Sequence, residues 1–285
     1  KWSIPRAYGS YEELFADPLI TAVYIATPHS SHPELSIQAL KAGKAVLCEK
    51  PVAITLKDFL PVIQTARECK LFFMEAMWMK FNPCFQKMLS WIQEGRIGRV
   101  KYLRSDFFLD APFNPAGRYY NPALGGGALL DVGIYPVTCA VMVGGRRKPQ
   151  SIDSWMRFAQ TGVDLYGKVR MVWDDALVAD LASSIDLQGL DHMRSAVVIG
   201  ETGSIMLPLF WMATEASLVG PDGSVIERFT HPFPCNGYEF EIREVERCIA
   251  QGLTESPVQT WADSIMVMEL LDTITEQAKT SLNGN

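Results

Sequence analysis

The sequence is poor in histidine and contains no paired cysteine motif. Its four histidines and six cysteines are scattered over 285 residues, and no two cysteines form a Cys-x-x-Cys pair. This spacing argues against a zinc site of the common kinds. Because several cysteines stand in apolar surroundings, we expect reduced thiols rather than disulfides, and hence a cytoplasmic protein.

The sequence also lacks blocks of like charge and very long apolar runs. The 26 basic and 32 acidic residues are interspersed and give a net charge of -6. Without a basic patch, we expect neither nucleic acid nor an anionic membrane as a partner. No apolar run approaches the length that crosses a bilayer, so we expect no membrane-spanning segment.

The first part of the chain alternates between two kinds of pattern. Short apolar runs at residues 21–26, 45–48 and 71–74 are separated by helical patterns at residues 33–42 and 55–69. Such alternation predicts parallel strands joined by helices. The middle run ends on Glu49, Lys50 and Pro51, and the carboxyl ends of parallel strands are where open α/β sheets bind ligands. We therefore predict a partial Rossmann-type α/β domain over residues 1–77, with a site at this edge.

The pattern changes after residue 77. A helix opens at Asn82-Pro83, with a cap residue followed by proline. An apolar helix follows at residues 128–142, and short runs separated by turn residues occupy residues 151–229. Two helical patterns close the chain. We predict a second, α+β domain over residues 78–285 with a large, mostly antiparallel open sheet.

Asp131 and Tyr135 are the first candidates for chemistry. They are four residues apart on the predicted helix and so share one face. A tyrosine has an ordinary pKa of about 10, and a nearby ammonium such as that of Lys50 favours the phenolate and brings the group toward acid–base catalysis. From spacing alone, local packing roles for both side chains are the stronger interpretation.

Two other motifs admit a functional interpretation that we do not favour. Gly125, Gly126 and Gly127 lack the GxGxxG spacing, so a tight helix entry is preferred over a phosphate loop. His29 and His32 are three apart, but no carboxylate or cysteine nearby completes a metal site. We predict no metal, and expect these histidines to serve turn polarity or hydrogen bonding to a ligand.

Several segments together resemble one known family, the Gfo/Idh/MocA oxidoreductases. They are residues 23–28 (VYIATP), His32, residues 39–44 (ALKAGK) and residues 48–51 (CEKP). Residues 75–78 (EAMW) and 126–135 (GGALLDVGIY) are most similar to the dihydrodiol dehydrogenase branch of that family. The similarity covers essentially the whole chain.

The resemblance implies an enzyme that uses NAD or NADP. It implies hydride transfer to or from a secondary alcohol or carbonyl of a sugar, polyol or trans-dihydrodiol. By position, Lys50 and Tyr135 match the family's lysine and acid–base residue, and Asp131 matches the helical partner of that residue. The implied cofactor-binding residues are Thr27, Pro28, His29, His32, Glu49 and Lys50. The implied substrate-binding residues are Trp78, Phe107 and Tyr135.

The family's glycine-rich phosphate loop belongs to a first βαβ unit, which this sequence does not contain. We therefore expect the natural polypeptide to extend about fifty residues further at its N-terminus, with a strand and a Rossmann glycine turn. The residue that selects NAD or NADP would lie in that segment.

Two alternatives to an enzyme are compatible with the sequence, which also predicts an assembly. A non-catalytic NAD(P)- or sugar-binding sensor of the same fold remains possible, although it needs neither Lys50 nor Tyr135. A fragment that only self-associates is a third possibility. Large side chains among polar residues suggest an open sheet face and a homodimer formed face to face through it. These residues are Trp155, Phe158, Tyr166, Trp173 and Leu177.

Overall fold

A computed structural model describes residues 4–173, 177–189 and 194–283 of the chain. Its α-helices are α1 (Tyr11–Ala16), α2 (His32–Lys41), α3 (Leu56–Cys69), α4 (Pro83–Gln93), α5 (Ile134–Val143), α6 (Glu239–Ala250) and α7 (Trp261–Asn283). The first strands are β1 (Ala22–Ile25), β2 (Ala45–Glu49), β3 (Phe73–Ala76) and β4 (Val100–Phe108). The remaining strands are β5 (Ser151–Phe158), β6 (Asp164–Val172), β7 (Val178–Ser184), β8 (Ser195–Gly200), β9 (Ser204–Pro208), β10 (Glu215–Val219) and β11 (Val225–Thr230).

Strands β1, β2 and β3 form a small parallel sheet in that order, as the alternating pattern predicts. The strand β2 is almost wholly buried, which explains its continuous apolar run. Strand β3 begins two residues later than predicted. The reason is that Lys70 ends α3 in the left-handed conformation, and the amide of Leu71 still bonds back to the carbonyl of Ala66.

Strands β4 to β11 form a second sheet of eight strands, in the order β11-β10-β9-β8-β4-β7-β6-β5. Only the pair β4–β7 is parallel, and the other neighbours are antiparallel. This confirms the predicted α/β plus α+β fold class with a mostly antiparallel open sheet. Helix α5 packs on β4 and β7, and α7 packs on β5, so these helices cover one face of the sheet.

Three of the residues predicted on the open face lie on the covered face instead, namely Trp173, Leu177 and Phe158, which packs against the core on the α7 side. Trp173 and Leu177 are 2% and 3% exposed. Successive strand residues alternate between faces, and Trp173 follows β6 in phase with buried Met171 rather than with Tyr166. The indole packs on Gly144, where a Cβ atom would lie 2.8 Å from it, and its N–H donates to the carbonyl of Arg147 at 3.0 Å.

One segment passes a length-and-composition test for crossing a membrane, so the expectation that none does is wrong on that criterion. The segment is Pro122–Val143, with a mean hydropathy of 1.6. However, 83% of the tested window is buried inside the protein, as in the core helix of a globular fold.

The segment before α7 and the first residue of α7 cover the β3 edge of the small sheet. The amide of Phe73 donates a hydrogen bond to the carbonyl of Thr254 at 3.0 Å, and the carbonyl of Phe73 accepts one from the Trp261 indole at 2.9 Å. Buried Glu75 accepts from the Ser264 hydroxyl at 2.6 Å and from the Val52 amide at 3.2 Å. Through Glu75, the C-terminal part of the chain therefore fixes the turn that follows Lys50.

Candidate active site

A cavity of about 500 Å³ lies between the carboxyl ends of β1 and β2 and the helical segment that contains Tyr135. Its volume is in the range of small-molecule sites. Every site residue predicted from the sequence lines this cavity. These residues are Thr27, Pro28, His29, His32, Glu49, Lys50, Trp78, Phe107, Asp131 and Tyr135.

The predicted helix at residues 128–142 is not regular. It begins with a π-helical turn, Leu129–Gly133, and continues as α5. Such turns are rare in proteins, and those that occur often lie at functional sites. A regular α-helix would place the side chains of Asp131 and Tyr135 on one face, one turn apart. Because the π-helical turn is wider, the carboxylate and the phenol are not stacked in that way.

The carboxylate of Asp131 is engaged by cations instead of by Tyr135. Its Oδ1 atom accepts from Arg118 at 2.8 Å, and the Lys50 ammonium lies 3.5 Å from the same oxygen. The Lys50 ammonium also donates to the main-chain carbonyl of Asp131 at 2.5 Å. Although burial alone would raise the pKa of Asp131, Lys50 and Arg118 outweigh it and hold the pKa below its ordinary value.

Tyr135 is buried, and its hydroxyl oxygen accepts a hydrogen bond from the Trp78 indole N–H at 2.9 Å. Burial, and then the charge of Glu49, raise the pKa of the phenol well above 10. The expected lowering of this pKa by Lys50 is therefore wrong, since the ammonium lies 5.1 Å from the ring centre and is committed to Asp131. The phenol holds its proton at neutral pH.

The two histidines fasten the strand-end turns. Nδ1 of His29 lies 2.9 Å from the carbonyl of Gly125 and donates to it when the ring is neutral. Both ring nitrogens of His32 lie 2.8 Å from main-chain carbonyls, those of Thr27 and Pro51. His32 therefore joins the turn after β1 to the turn after β2. Within the described residues, no group of three His, Cys, Asp or Glu side chains could hold a metal.

The three consecutive glycines allow three close approaches, which confirms a tight helix entry rather than a phosphate loop. A Cβ atom on Gly125 would lie 2.9 Å from the Cβ atom of His29. One on Gly126 would lie 2.7 Å from the carbonyl oxygen of Tyr119. One on Gly127, which has a φ of +125°, would lie 2.2 Å from the carboxylate of Asp164.

Four charged or aromatic residues that line the cavity were not predicted from the sequence, namely Arg118, Tyr119, Trp211 and Tyr238. The Arg118 guanidinium lies over the ring of Tyr119 at 4.1 Å. Trp211 stacks on Phe107 at 3.6 Å, and Tyr238 stacks on Trp78 at 4.7 Å. Arg118 and Tyr119 lie in a loop, Trp211 lies in a short helical turn and Tyr238 directly precedes α6, so no periodic pattern marks them.

Comparison with family models finds two matches along the chain. Residues 1–77 match the model described as an oxidoreductase family with an NAD-binding Rossmann fold (GFO_IDH_MocA). Residues 85–206 match the model of the GFO/IDH/MocA C-terminal domain.

Curated relatives and solved structures agree with these matches. The chain is 34% identical over 280 residues to trans-1,2-dihydrobenzene-1,2-diol dehydrogenase of Xenopus laevis, which covers 96% of this chain and 83% of the relative. It is also 34% identical to the human enzyme of that name, over 96% of this chain and 82% of the relative. The structure of aldose-aldose oxidoreductase from Caulobacter crescentus superposes with a TM-score of 0.85 at 21% identity, over 96% of this chain and 82% of that one. A 3-ketoreductase from Actinomadura kijaniata, solved with NADP, gives a TM-score of 0.81 at 24% identity, over 94% and 81% of the two chains.

The environment of His29 predicts an imidazole that stays neutral at physiological pH. Burial, and then the charge of Lys50, lower its pKa to about 4. We expect the ring resonances that are lost in His29→Asn to titrate near pH 4 in an NMR experiment on the wild-type protein. Since the unfolded ring takes up a proton first, at about pH 6.5, this group should reduce the stability of the fold as the pH falls from 6.5 to 4. A midpoint close to 6.5 would contradict the burial argument.

Proposed function

This chain belongs to the Gfo/Idh/MocA oxidoreductase family and is an NAD(P)-dependent dehydrogenase, and we propose the residues and the substrate class that it uses. Lys50, Asp131 and Tyr135 form the catalytic group, and the substrate is a secondary alcohol or ketone of a sugar, polyol or trans-dihydrodiol. The observation that carries the proposal is the meeting of Lys50 and the Tyr135 phenol in one cavity at the carboxyl ends of the parallel strands.

The residues at the strand ends fit a nicotinamide cofactor, either NAD or NADP. Thr27 and Pro28 follow β1, and Lys50 follows β2, so they form one wall of the cavity. The Thr27 hydroxyl and the Lys50 ammonium offer polar groups to a carboxamide or a ribose. We also propose that His29, His32 and Glu49 belong to this cofactor-binding wall, with residues 1–77 as the cofactor domain and residues 78–285 as the substrate domain.

The cofactor, once bound, carries the hydride, and the chain supplies the proton. In the reducing direction, as the reduced cofactor would supply hydride to the carbonyl carbon, the Tyr135 O–H bond would break and its proton would go to the substrate oxygen. The product is an alcohol, and a phenolate remains. The Trp78 N–H already donates to this oxygen and favours the phenolate, and the Lys50 ammonium lies over the ring, 5.1 Å from its centre. In the oxidising direction the Tyr135 oxygen would accept the proton of the alcohol only after losing its own, which its raised pKa disfavours at neutral pH.

Asp131 keeps Lys50 in place rather than transferring the proton. Asp131 contacts the Lys50 ammonium twice, through its carboxylate at 3.5 Å and through its main-chain carbonyl at 2.5 Å. Without this carboxylate, the positive charges of Lys50 and Arg118 would lie close together with no anion between them. We propose that Asp131 acts through the position of Lys50.

Two stacked aromatic pairs that contact Tyr135 support a ring-shaped substrate. In the Phe107–Trp211 pair, Phe107 lies 5.5 Å from the Tyr135 ring, and in the Trp78–Tyr238 pair, the Trp78 indole bonds the Tyr135 hydroxyl. Flat faces of this kind bind carbocycles and sugar rings through their C–H surfaces. The names of the dihydrodiol and sugar oxidoreductases that the chain resembles agree with such a substrate.

We also propose a homodimer formed through the uncovered face of the eight-stranded sheet. This face presents Trp155, which is 53% exposed, together with exposed Ile199 and Met206. Ion pairs such as Arg170–Asp180 at 2.7 Å lie among them.

The six cysteines are all free, which supports a cytoplasmic location.

The role of Tyr135 predicts a selective loss of turnover in Tyr135→Phe. We expect kcat with a diol or sugar substrate to fall by about 10²- to 10⁴-fold, because the proton donor is removed. Fluorescence titration with the reduced cofactor should show less than about a threefold change in affinity, since the ring remains in place. Tyr102→Phe is the matched control, because its hydroxyl bonds Asp180 on the sheet face, away from the cavity. Near-normal turnover in Tyr135→Phe would remove the acid–base assignment.

The assembly proposal predicts a mass of twice 31.8 kDa for the chain by light scattering at micromolar concentration. Trp155→Glu should weaken the dimer by at least about tenfold, since a buried interface tryptophan commonly contributes that much. Leu60→Glu is the control, because Leu60 is similarly exposed, at 47%, but lies on α3. A wild-type monomer, or equal effects of both variants, would contradict an interface on this sheet face.

A further inference from the structure

Asp164, at the start of β6, reaches the beginning of the helical segment that contains Asp131 and Tyr135. Its Oδ2 atom accepts a hydrogen bond from the amide of Leu129 at 2.6 Å. The amide of Ala128 is near enough to lower the pKa of this carboxyl. The other oxygen fills the space over Gly127 that a side chain would occupy. The carboxylate therefore closes over three consecutive residues of the helix entry.

This contact satisfies a need that the local sequence cannot meet. The first amides of a helix have no partners within it, and the usual remedy is an oxygen-bearing side chain at the N-cap. Here Ala128 stands at that position, and its methyl group cannot accept a hydrogen bond. Leu129 is 3% exposed, so water is a poor substitute. A carboxylate from a distant strand takes the role of the cap.

We propose that Asp164 is a positioning residue for the hydride-transfer site, which it serves by anchoring the π-helical turn from behind. This inference rests on the proposed function, because the groups that the turn presents to the cavity are Asp131 and Tyr135. Asp164 itself lines a separate cavity of about 500 Å³ on the other side of the turn, between α3, α7 and the β5–β6 hairpin. It thus acts without touching the substrate.

The anchor depends on the ionisation of Asp164. Burial raises the pKa of this carboxyl to about 6. The charged groups that line the same cavity are Lys57 from α3 and Asp272, Glu276 and Lys279 from α7. Above pH 6 the ionised carboxylate is a strong acceptor for the Leu129 amide, whereas below pH 6 one oxygen carries a proton and the neutral carboxyl accepts more weakly. The hold on the turn should therefore weaken as the pH falls through about 6.

The test compares Asp164→Ala and Asp164→Asn, with Glu276→Gln as the matched control. Glu276 is an exposed acid that lines the same cavity. In Asp164→Ala, we expect hydrogen exchange of the peptide that spans residues 125–135 to accelerate by about tenfold, as for a lost helix cap. In the same variant kcat should fall by about tenfold with little change in KM. Asp164→Asn keeps one carbonyl acceptor, so it should fold and hold the turn partly, with intermediate exchange.

The pH profile separates positioning from general packing. Wild type and Glu276→Gln should lose turnover in a step near pH 6, and Asp164→Asn should lack that step. Unchanged exchange in Asp164→Ala, or a persistent step in Asp164→Asn, would overturn the inference. Hydrogen exchange needs no substrate. If the wild type turned over no sugar or diol, the proposed function would fail, while faster exchange would still assign Asp164 to the turn.

Discussion

The site depends on one buried carboxylate and the cations that keep it charged. Asp131 is 5% exposed, and an isolated carboxylate so far from water would be strongly unfavourable. Lys50 and Arg118 offset that cost, with His29 3.9 Å away as a neutral neighbour. Since a buried charge tolerates little displacement of its partners, the carboxylate fixes the end of β2 and the loop containing Arg118 relative to α5. The cavity is the space that these three parts enclose.

The same exclusion of water shapes the chemistry of Tyr135. It raises the pKa of the phenol and so keeps the proton available for donation. It also makes each remaining electrostatic contact stronger, so that the Trp78 N–H is a substantial aid to the phenolate. Two stacked aromatic pairs maintain this dry surrounding. The π-helical turn is held by Asp164, which accepts from the Leu129 amide, and by Asp131, which accepts from Arg118 on the cavity side.

Those parts of the fold that depend on local pattern were predictable from the sequence. The apolar run of β2, the Thr55 cap of α3 and the Asn82 cap of α4 each follow from neighbouring residues. The π-helical turn was not predictable, because the segment is apolar on all sides and shows no clear period. Trp173 was misplaced because its face depends on the phase of β6, in which it follows buried Met171 rather than Tyr166.

The candidate site divides along the same line. Lys50, Asp131 and Tyr135 were found through family resemblance, since spacing alone favoured plain packing roles. Trp211 and Tyr238 come to the cavity through contacts between distant segments, namely their fit against Phe107 and Trp78, and Arg118 does so through its bond to Asp131. No residue near Trp211 or Tyr238 in sequence signals that fit. The pKa of Tyr135 also required the structure, because Glu49 and burial outweigh the ammonium.

The measurement that tests this account most directly is single-turnover absorbance in the band of the reduced nicotinamide. The wild-type protein would be mixed with NAD or NADP and a panel of cyclic sugars, polyols and trans-dihydrodiols. The account predicts that at least one cyclic secondary alcohol reduces the cofactor and that the matching ketone reoxidises it. Cofactor binding without any absorbance change across the panel would contradict hydride transfer and favour a sensor of the same fold.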